Sequence, residues 1–336
     1  MILVTGGTGL LGAHLLFDLL NTQDKVRAIK REQSDLKTIT KIFSYYTPKP
    51  QEYLDRIEWV NAEITDYFSV EDALKGVDKV YHCAAMVSFH KKDDELMRET
   101  NVGGTRNIVN ACLYYQIEKL IHVSSIAALG RAEAHETTTE ETPWKDSADK
   151  SAYSMSKYDS ELEVWRGIAE GLKATIINPS VILGPGDWKN GSPQLFSLVN
   201  KGLKYYTTGT NGYVYVRDVS SIMIKLMNSQ IEGERFIVNT EDLSYQALLT
   251  TIAKALDKKA PTTEAKPWML HMAWRASAIK SILTGKSPTM TKSTARTSVQ
   301  HYTYSSRKLQ DTIDFTYTPI KEAIEEIGTH FKRYTE

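Results

Sequence analysis

Residues 5–12 read TGGTGLLG, and this stretch decides the fold of the chain. The apolar run 1–4 before it predicts a buried strand, and residues 13–20 after it predict a helix with one apolar face. A strand, a glycine-rich turn and the start of a helix form the phosphate-binding part of a βαβ unit. The stretch therefore predicts a dinucleotide site close to residue 1.

The spaced glycines of this turn have different structural roles. Gly6 allows the tight turn, Gly9 lets a pyrophosphate approach the backbone, and Gly12 lets the helix pack close to the strand. Free N–H groups at the start of the helix then face the anion. The residues of the turn that we expect to hold the dinucleotide are Gly6, Thr8, Gly9, Leu10, Leu11 and Gly12.

The end of the second predicted strand, 25–29, bears on which dinucleotide binds. In NAD-binding units an acidic residue near this point bonds the ribose 2′-hydroxyl, whereas this chain has Lys30 and Arg31. Cations suit a 2′-phosphate, so we expect NADP(H) as the cofactor. Glu32 follows one position later and keeps NAD(H) as the alternative. Two solvated cations without a role in binding are the remaining interpretation.

Apolar runs alternate with helical stretches along the first part of the chain. Strands are predicted at 57–60, 77–81, 120–123 and 174–177, and long helices at 95–115 and 151–170. This alternation predicts the α/β class, with a Rossmann-type doubly wound parallel sheet. Because the alternation of strands and helices ends after Gly184, we expect a dinucleotide-binding domain and a smaller, mostly C-terminal substrate-binding lobe. Their expected bounds are 1–180 plus about 213–239 for the domain, and 181–212 plus 240–336 for the lobe.

Three stretches that are not part of this alternation are interpreted from composition alone. The polar stretch 131–150 predicts a surface loop, and the Ser-, Thr- and Lys-rich stretch 285–306 predicts a loop with a solvated charged face. The stretch 266–285 is rich in Met and Trp. A lid over an apolar pocket, a helix packed on the core and an interface with a partner all fit it.

Composition limits the classes of partner. The chain has 336 residues, with 41 Lys and Arg against 41 Asp and Glu, so net charge favours neither nucleic acid nor an anionic membrane. No apolar run approaches the roughly 18 residues that span a bilayer. Cys83 and Cys112 form neither a disulfide framework nor a metal-ligand spacing, and we expect no bound metal. Since the first strand leaves no room for a signal peptide, we expect a cytoplasmic protein.

The predicted chemistry lies in the helix 151–170. Tyr153 and Lys157 are four residues apart and so share one helix face. A nearby ammonium favours the phenolate, lowers the pKa of the phenol and makes it a usable acid or base. The same spacing recurs at Tyr45/Lys49, Tyr115/Lys119, Tyr304/Lys308 and Tyr317/Lys321, so only the position of the pair after the fifth strand selects it.

A hydroxyl at the end of the fifth strand completes the candidate catalytic group. Ser125 follows that strand, where a doubly wound sheet places its ligands, and could bond a substrate carbonyl oxygen. Ser124 is the alternative, because successive side chains of a strand point in opposite directions.

Taken together, these motifs resemble the extended short-chain dehydrogenase/reductase family, and most closely its dihydroflavonol-reductase-like and 3β-hydroxysteroid-dehydrogenase-like members. The resemblance is strong over 1–220 and weaker beyond. The motifs that carry it are the glycine turn, His82-Cys83-Ala84-Ala85, Asn101-Val102-Gly103-Gly104-Thr105, Val123-Ser124-Ser125, Tyr153 with Lys157, Pro179 to Pro185, and Tyr215 to Val219.

The resemblance implies roles for individual residues. Tyr153 would exchange a proton while hydride passes between the nicotinamide and a substrate carbon, and Lys157 would also hold the nicotinamide ribose. Asn101 would support the active-site helix. Further cofactor contacts implied by the resemblance are Glu63 and Ile64 beside the adenine, Ala84, Ala85 and Met86 along the cleft, and Val123, Pro179 and Val181.

The resemblance also implies the reaction and the assembly. We expect NADP(H)-dependent reduction of a ketone or aldehyde on an apolar substrate. A nucleotide-sugar 4-epimerase or dehydratase is the alternative, although many sugar epimerases have Arg at the place of Asn178 and Asn at the place of Val181. A non-catalytic dinucleotide sensor is the second alternative. Helices 95–115 and 151–170 would pair with their copies in a homodimer.

Overall fold

The computed structural model describes residues 1–132, 136–145, 150–284 and 291–335. The strands in these ranges are β1 (Ile2–Thr5), β2 (Val26–Lys30), β3 (Ile57–Asn61), β4 (Lys79–His82), β5 (Lys119–Val123), β6 (Ala174–Pro179), β7 (Val181–Leu183), β8 (Tyr205–Tyr206), β9 (Thr210–Tyr215), β10 (Glu234–Val238), β11 (Glu241–Ser244) and β12 (Thr263–Glu264). The helices are α1 (Leu10–Leu20), α2 (Lys37–Tyr46), α3 (Pro50–Leu54), α4 (Tyr67–Leu74), α5 (Asp94–Arg98), α6 (Gly104–Tyr114), α7 (Ala152–Ala169), α8 (Gln194–Asn200), α9 (Val216–Met227), α10 (Tyr245–Ala255), α11 (Pro267–Thr284), α12 (Lys292–Thr297), α13 (Arg307–Ile313) and α14 (Ile320–Thr335). Short 3₁₀ turns cover Lys91–Asp93 and Ile126–Ala128, and a π-turn covers Glu99–Gly103.

The central sheet has seven parallel strands in the order β10-β6-β5-β4-β1-β2-β3. From β1 the chain builds outward through β2 and β3, and then crosses back to β4 on the other side of β1. The carboxyl ends of β1 and β4 therefore border a topological switch point, which is where doubly wound sheets bind ligands. The predicted Rossmann-type α/β fold is confirmed.

Neighbouring residues of the central strands belong to different cores. Leu3 and Ile176 pack with α4, α6 and α7, whereas Val4 and Ile177 pack with α1, α2, α9, α10 and α14. Side chains alternate across a strand, so apolar residues at successive positions require a cover of helices on both faces of the sheet. The continuous apolar runs of the sequence follow from this double cover.

Two smaller sheets lie outside the central one. In the first, β9 pairs in parallel with β7 and antiparallel with β11, and in the second β12 pairs in parallel with β8. These strands come from the part of the chain in which the regular alternation of strand and helix has ended.

Several local predictions need correction. Residues 291–306 are not one loop, because α12 forms there with Thr291 and Thr294 in a reciprocal capping box. Residues 285–290 of the same prediction lie outside the described residues. The predicted helix 95–115 is α5 and α6 joined by the π-turn. Helix α4 was not predicted, although the Asp66 carboxylate caps it by accepting the Phe68 N–H at 3.1 Å.

The polar stretch 131–150 is a surface loop in its described part, as predicted, but two of its residues point into the protein. Thr138 forms a bridge with Tyr304, and Thr138 and Glu140 are both buried. The Glu140 carboxylate accepts the N–H of Ile237 at 2.8 Å, at the edge of the central sheet. Part of this polar segment therefore supplies a hydrogen-bond acceptor to a buried backbone N–H, which its composition does not reveal. Residues 133–135 and 146–149 lie outside the described residues.

Candidate active site

The glycine turn forms a backbone cradle at the switch point. Gly6 has φ +69°, and a Cβ there would lie 2.7 Å from the backbone N of Ala84. A Cβ on Gly12 would lie 2.7 Å from the carbonyl carbon of Gly6. Both positions therefore require glycine for close packing of the turn against its neighbours.

The start of α1 leaves its N–H groups for a ligand. Gly9 is the N-cap residue, and no side chain caps the helix. The first turn also contains no acidic residue that would compete for an anion. An uncapped helix start beside a tight glycine turn fits a pyrophosphate.

A buried hydrogen-bond chain fixes the strand ends beside this cradle. The Ala84 N–H donates to Thr5 Oγ1 at 3.1 Å, and Thr105 Oγ1 donates to the Asn101 carbonyl at 2.6 Å. With these donors assigned, the Thr5 hydroxyl donates to His82 Nδ1 (2.7 Å) and His82 Nε2 donates to Thr105 (3.0 Å). Burial lowers the pKa of His82 to about 3, so this ring is neutral. His82 is therefore a hydrogen-bonded histidine.

Asn101 ties the loop after β4 to the helix α7. Its side chain accepts the Met86 N–H at 2.7 Å and donates to the Met86 carbonyl at 3.0 Å. The same amide donates to Ser156 Oγ of α7 at 3.0 Å. Asn101 itself lies in the π-turn and is buried. This geometry agrees with the supporting role that the resemblance implies for it.

The candidate adenosine contacts lie at the ends of β2 and β3. Lys30 donates to the Asn61 side chain at 2.6 Å, while Arg31 is exposed. Glu63 is exposed, whereas Ile64 is buried and its carbonyl accepts from Asn107 at 2.9 Å. Of the residues expected along the cleft, Ala85 is exposed and Ala84 and Met86 are half-buried.

Tyr153, Ser125 and Lys157 come together at the carboxyl end of β5. The Ser125 hydroxyl lies near the Tyr153 phenol, where hydrogen bonding from Ser125 acts to lower the pKa of that phenol. The Lys157 ammonium donates to the Val123 carbonyl at 3.0 Å. Ser125 also caps the following 3₁₀ turn, where its hydroxyl accepts the Ala127 N–H at 3.1 Å. The sheet and α7 thus bring the three predicted catalytic residues into one site.

The electrostatics of this group differ from the prediction. Burial raises the pKa of Tyr153, the bond from Ser125 opposes that rise, and Lys157 does not contribute. The expected lowering of the phenol pKa by the ammonium is therefore wrong for this structure. Lys157 is itself desolvated, and burial lowers its pKa to about 8. Tyr153 is accordingly a protonated phenol near neutral pH.

The choice between the two serines follows from a buried carboxylate. Ser124 is buried and donates to Glu161 Oε2 at 2.6 Å, so its hydroxyl points away from Tyr153. Glu161 lies four residues after Lys157, on the same helix face. Sequence analysis did not single out Glu161, although its spacing from Lys157 was the available signal.

Glu161 is the centre of a network behind the site. Its carboxylate accepts from Asn178 Nδ2 (2.8 Å), Arg235 (3.0 Å) and Trp165 (3.3 Å). Asn178 also donates to the Ser125 carbonyl at 3.0 Å. The negative charge of Glu161 raises the pKa of Lys157 against the effect of burial. Glu161 therefore fixes the backbone of Ser125 and favours the charged form of Lys157.

An apolar side chain lies beside the candidate catalytic tyrosine. The ring of Phe89 contacts Tyr153 edge-on, with 5.9 Å between the ring centroids. Phe89 and Val87 are both exposed. An exposed apolar side chain next to the Tyr153 phenol is suited to contact an apolar substrate.

The other Tyr-x-x-x-Lys pairs do not lie at the candidate site. For example, Lys119 is buried and its ammonium donates to the carbonyls of Leu226 (2.6 Å) and Ser229 (2.9 Å), so it caps the end of α9. Across the described ranges, no three His, Cys, Asp or Glu side chains are grouped to hold a metal ion. No helix within those ranges is long and apolar enough to cross a membrane.

A seven-stranded Rossmann-type sheet with this tyrosine, lysine and serine at its carboxyl edge defines an extended short-chain dehydrogenase/reductase enzyme. The chain belongs to the NAD dependent epimerase/dehydratase family, whose model matches residues 2–239.

The chain is similar in sequence to a sterol demethylase protein and a reductase, and similar in fold to a sugar epimerase. It is 29% identical to sterol demethylase protein B of Methylococcus capsulatus, over 80% of this chain and 78% of that protein. It is 27% identical to dihydroflavonol 4-reductase of Arabidopsis thaliana, over 77% of this chain and 69% of that protein. The crystal structure of the UDP-glucose 4-epimerase of Thermus thermophilus, solved with NAD, shares the fold, with a TM-score of 0.74 and 24% identity over 98% of each chain.

The first prediction concerns Glu161. In Glu161→Gln the charge that supports Lys157 is lost, so the pKa of Lys157 falls below its value of about 8 and the ammonium is lost at lower pH. We expect the alkaline limb of the kcat/KM profile to move to lower pH. The Arg235 guanidinium also loses its buried partner, which should cost about 3 kcal/mol of the free energy of unfolding.

The matched control for this variant is Glu322→Gln, which removes an exposed carboxylate on α14. It should change neither the pH profile nor the denaturant midpoint. An alkaline limb that stays in place in Glu161→Gln would refute the coupling between Glu161 and Lys157.

Proposed function

We propose that this enzyme reduces a ketone or aldehyde of an apolar substrate with NADPH. The observation that carries the proposal is the placement of the Tyr153 phenol beside the Ser125 hydroxyl, at the carboxyl end of β5 and at the same edge of the sheet as the glycine cradle. This arrangement offers a proton donor and a second hydroxyl to one substrate oxygen.

The chain's own residues would prepare the carbonyl for reduction. The bound nicotinamide would supply the hydride that goes to the carbonyl carbon. As negative charge develops on the oxygen, Ser125 would donate a hydrogen bond to it and Tyr153 would transfer its proton to it. The raised pKa of Tyr153 keeps the phenol protonated at neutral pH, which is the form that reduction needs. The Lys157 ammonium would hold the ribose.

The cofactor would lie across the switch point. The glycine turn and the start of α1 would hold the pyrophosphate, and Glu63 and Ile64 would border the adenine. Lys30 and Arg31 would face the 2′-phosphate of NADP. The remaining residues that we assign to the cleft are Ala84, Ala85, Met86, Val123, Pro179 and Val181.

Two features favour an apolar carbonyl compound over a nucleotide sugar. Phe89 offers apolar surface beside Tyr153, and Val87, two residues before it, is also exposed. Asn178 is fully buried, and its amide donates to Ser125 and Glu161, so it is not available to a diphosphate. The named activities of the sterol demethylase protein and the dihydroflavonol reductase point the same way. We place substrate recognition in 181–212 and 240–336.

The experiment that tests this function is a substrate panel. Purified enzyme is given NADPH with apolar ketones and aldehydes, and separately NAD with UDP-sugars, followed by absorbance at 340 nm and product analysis. We expect NADPH oxidation with the apolar carbonyl compounds only. Epimerised sugar with no net change in absorbance would establish the alternative, a nucleotide-sugar epimerase, which the family's name keeps open.

A second prediction concerns the cofactor preference. Arg31 is exposed, and its guanidinium makes no bond to other described residues, so this cation can turn to a 2′-phosphate. Arg31→Ala should raise the Kd for NADPH about tenfold, the effect of losing one charge-assisted hydrogen bond, and leave the Kd for NADH unchanged. Lys37→Ala, which removes an exposed cation on α2, is the control. Wild-type enzyme that binds NADH as tightly as NADPH would contradict the preference.

The third prediction concerns assembly. We propose a homodimer through α5, α6 and α7, because Leu96, Met155 and Leu162 are exposed apolar side chains on α5 and α7. Sedimentation velocity at micromolar concentration should give a dimer for the wild type and a monomer for Leu162→Glu. Leu198→Glu, an equally exposed leucine on α8, should remain dimeric. A monomeric wild type would exclude this interface.

A further inference from the structure

A cavity of about 390 Å³ adjoins the network of Glu161 behind the candidate catalytic group. Segment 140–144, α7, β10 and α13 supply most of its lining. None of the described residues that we assign to catalysis or to the cofactor lines it. Small-molecule sites commonly have volumes of about 300 to 1,000 Å³. The cavity is therefore large enough for a ligand of its own, outside the proposed cofactor cleft.

The wall formed by segment 140–144 is fixed by close packing and by hydrogen bonds. Gly130 lies so near it that a Cβ there would be 2.6 Å from the carbonyl carbon of Pro143. The Thr139 N–H donates to the Thr142 hydroxyl at 2.9 Å, and the Thr142 N–H donates back to the Thr139 carbonyl at 3.1 Å. The cavity is therefore formed before any ligand binds, which lowers the entropic cost of binding.

Three aromatic side chains line the cavity. Trp144 and Tyr158 stack with 4.0 Å between their ring centroids and an interplanar angle of 7°. The Lys150 ammonium lies 2.8 Å from the centroid of the Trp144 ring, so the chain itself places a cation on this pair. Trp165 is half-buried, and its Nε1 donates to Glu161 at 3.3 Å. Aromatic rings attract cations to their faces, so these walls favour a positively charged ligand.

The charges along the lining do not cancel. Four carboxylates and two cations line the cavity. Of the two cations, Arg235 pairs with Glu161 at 3.0 Å. Lys308 pairs with Glu234 at 2.6 Å. Both cations are therefore compensated, whereas the other two carboxylates make no ion pair with a described residue.

One of these two carboxylates, Glu140, is deeply buried. Only 5% of its surface is exposed. Its Oε1 accepts the Ile237 N–H at 2.8 Å, but its Oε2 has no hydrogen-bond partner among the described residues. A buried carboxylate oxygen without a donor is costly, so this atom needs a ligand that donates to it. Glu141, the other carboxylate, is exposed and therefore lies nearer to solvent.

We propose that this cavity binds a small organic ammonium ion. The ammonium group would donate to Glu140 Oε2 and lie near Glu141, and the apolar part of the molecule would contact Trp165. An anion would be repelled by the uncompensated carboxylates, and a neutral molecule would leave their charge unbalanced. The aromatic walls favour an organic cation over a hydrated metal ion. The proposal does not rest on carbonyl reduction, because binding is measured without turnover.

The test is isothermal titration calorimetry of the full chain with three probes of similar shape, which are 2-phenylethylammonium, 2-phenylethanol and phenylacetate. We expect the ammonium to bind saturably, with a Kd on the order of 1 mM. The alcohol and the anion should bind at least about tenfold more weakly, because neither supplies a charge-assisted hydrogen bond to the carboxylate. Added NADPH should leave the Kd of the ammonium unchanged, since no residue assigned to the cofactor lines the cavity.

Two variants test the carboxylates. Glu140→Gln removes the charge while its amide oxygen can still accept the Ile237 N–H, and it should weaken ammonium binding at least about tenfold. Glu141→Lys places a cation at the cavity from an exposed position, so it should weaken binding as strongly and does not depend on whether Glu140→Gln folds. Glu322→Gln, which removes an exposed carboxylate on α14, should bind like the wild type. Circular dichroism during thermal unfolding reports whether each variant is folded.

Three results would overturn the proposal. One is wild-type protein that does not bind the ammonium saturably, or that binds the alcohol or the anion equally well. A second is wild-type affinity for the ammonium in folded Glu141→Lys, or in folded Glu140→Gln. A third is displacement of the ammonium by NADPH, since the probe would then occupy the cofactor cleft.

Discussion

Replacing Tyr153 with Phe should lower kcat for carbonyl reduction about 10²- to 10⁴-fold, the range for loss of a positioned general acid. The Kd for NADPH should change less than threefold, because the phenol lies beside Ser125 and not at the glycine cradle. Single-turnover absorbance measurements would give the rate of hydride transfer, and fluorescence titration would give the Kd. Both are needed, because only their combination distinguishes lost chemistry from lost binding.

The control for this variant is Tyr158→Phe on the same helix. Tyr158 stacks on Trp144 with 4.0 Å between the ring centroids, away from Ser125, and its loss of a hydroxyl should leave kcat unchanged. A Tyr153→Phe enzyme with wild-type turnover would exclude the phenol as the acid. Wild-type protein that binds NADPH but turns over no member of the panel would favour the dinucleotide sensor.

Replacing Gly12 with Ala should raise the Kd for NADPH roughly 100-fold. The added Cβ would meet the carbonyl group of Gly6, which is backbone and cannot rotate away as a side chain would. Either the turn or the start of α1 must shift, at a cost of about 3 kcal/mol, and the N–H groups would then miss the pyrophosphate. Fluorescence titration with NADPH measures the loss, and thermal unfolding followed by circular dichroism shows whether the fold survives.

Gly103→Ala is the matched control, since a Cβ at that position has no atom within 4 Å. It should bind NADPH like the wild type. If Gly12→Ala also kept its affinity while remaining folded, the cradle would not be the pyrophosphate site.

The fold could be predicted from the sequence because its signals are local. Every strand of the central sheet is apolar at successive positions, and the turn at Gly6 and Gly12 needs glycine for steric reasons that hold in any similar unit. Tyr153, Lys157 and Ser125 could be found because the helix period and the end of a strand fix where their side chains lie.

The rest depends on distant contacts that the sequence does not display. Glu161 acts through Asn178 and Arg235, which are 17 and 74 residues away in the chain. Glu140 is polar and lies in a polar stretch, yet it is buried because it satisfies a backbone N–H of β10. The pKa of Tyr153 depends on desolvation, which spacing alone does not reveal, and for that reason the direction of its shift was predicted wrongly.

The π-turn at Glu99–Gly103 has a consequence for the phase of the helix around it. A turn closed between residues i and i+5 holds one residue more than an α-turn, so α5 and α6 are out of step by about 100°. Within this turn Asn101 contacts Met86 and Ser156, and just after it Thr105 contacts His82. A chain with one residue fewer here would keep a helix of nearly the same length. The side chains before and after the deletion would then point in different relative directions. The number of residues in this turn therefore sets the direction of the side chains on either side of it.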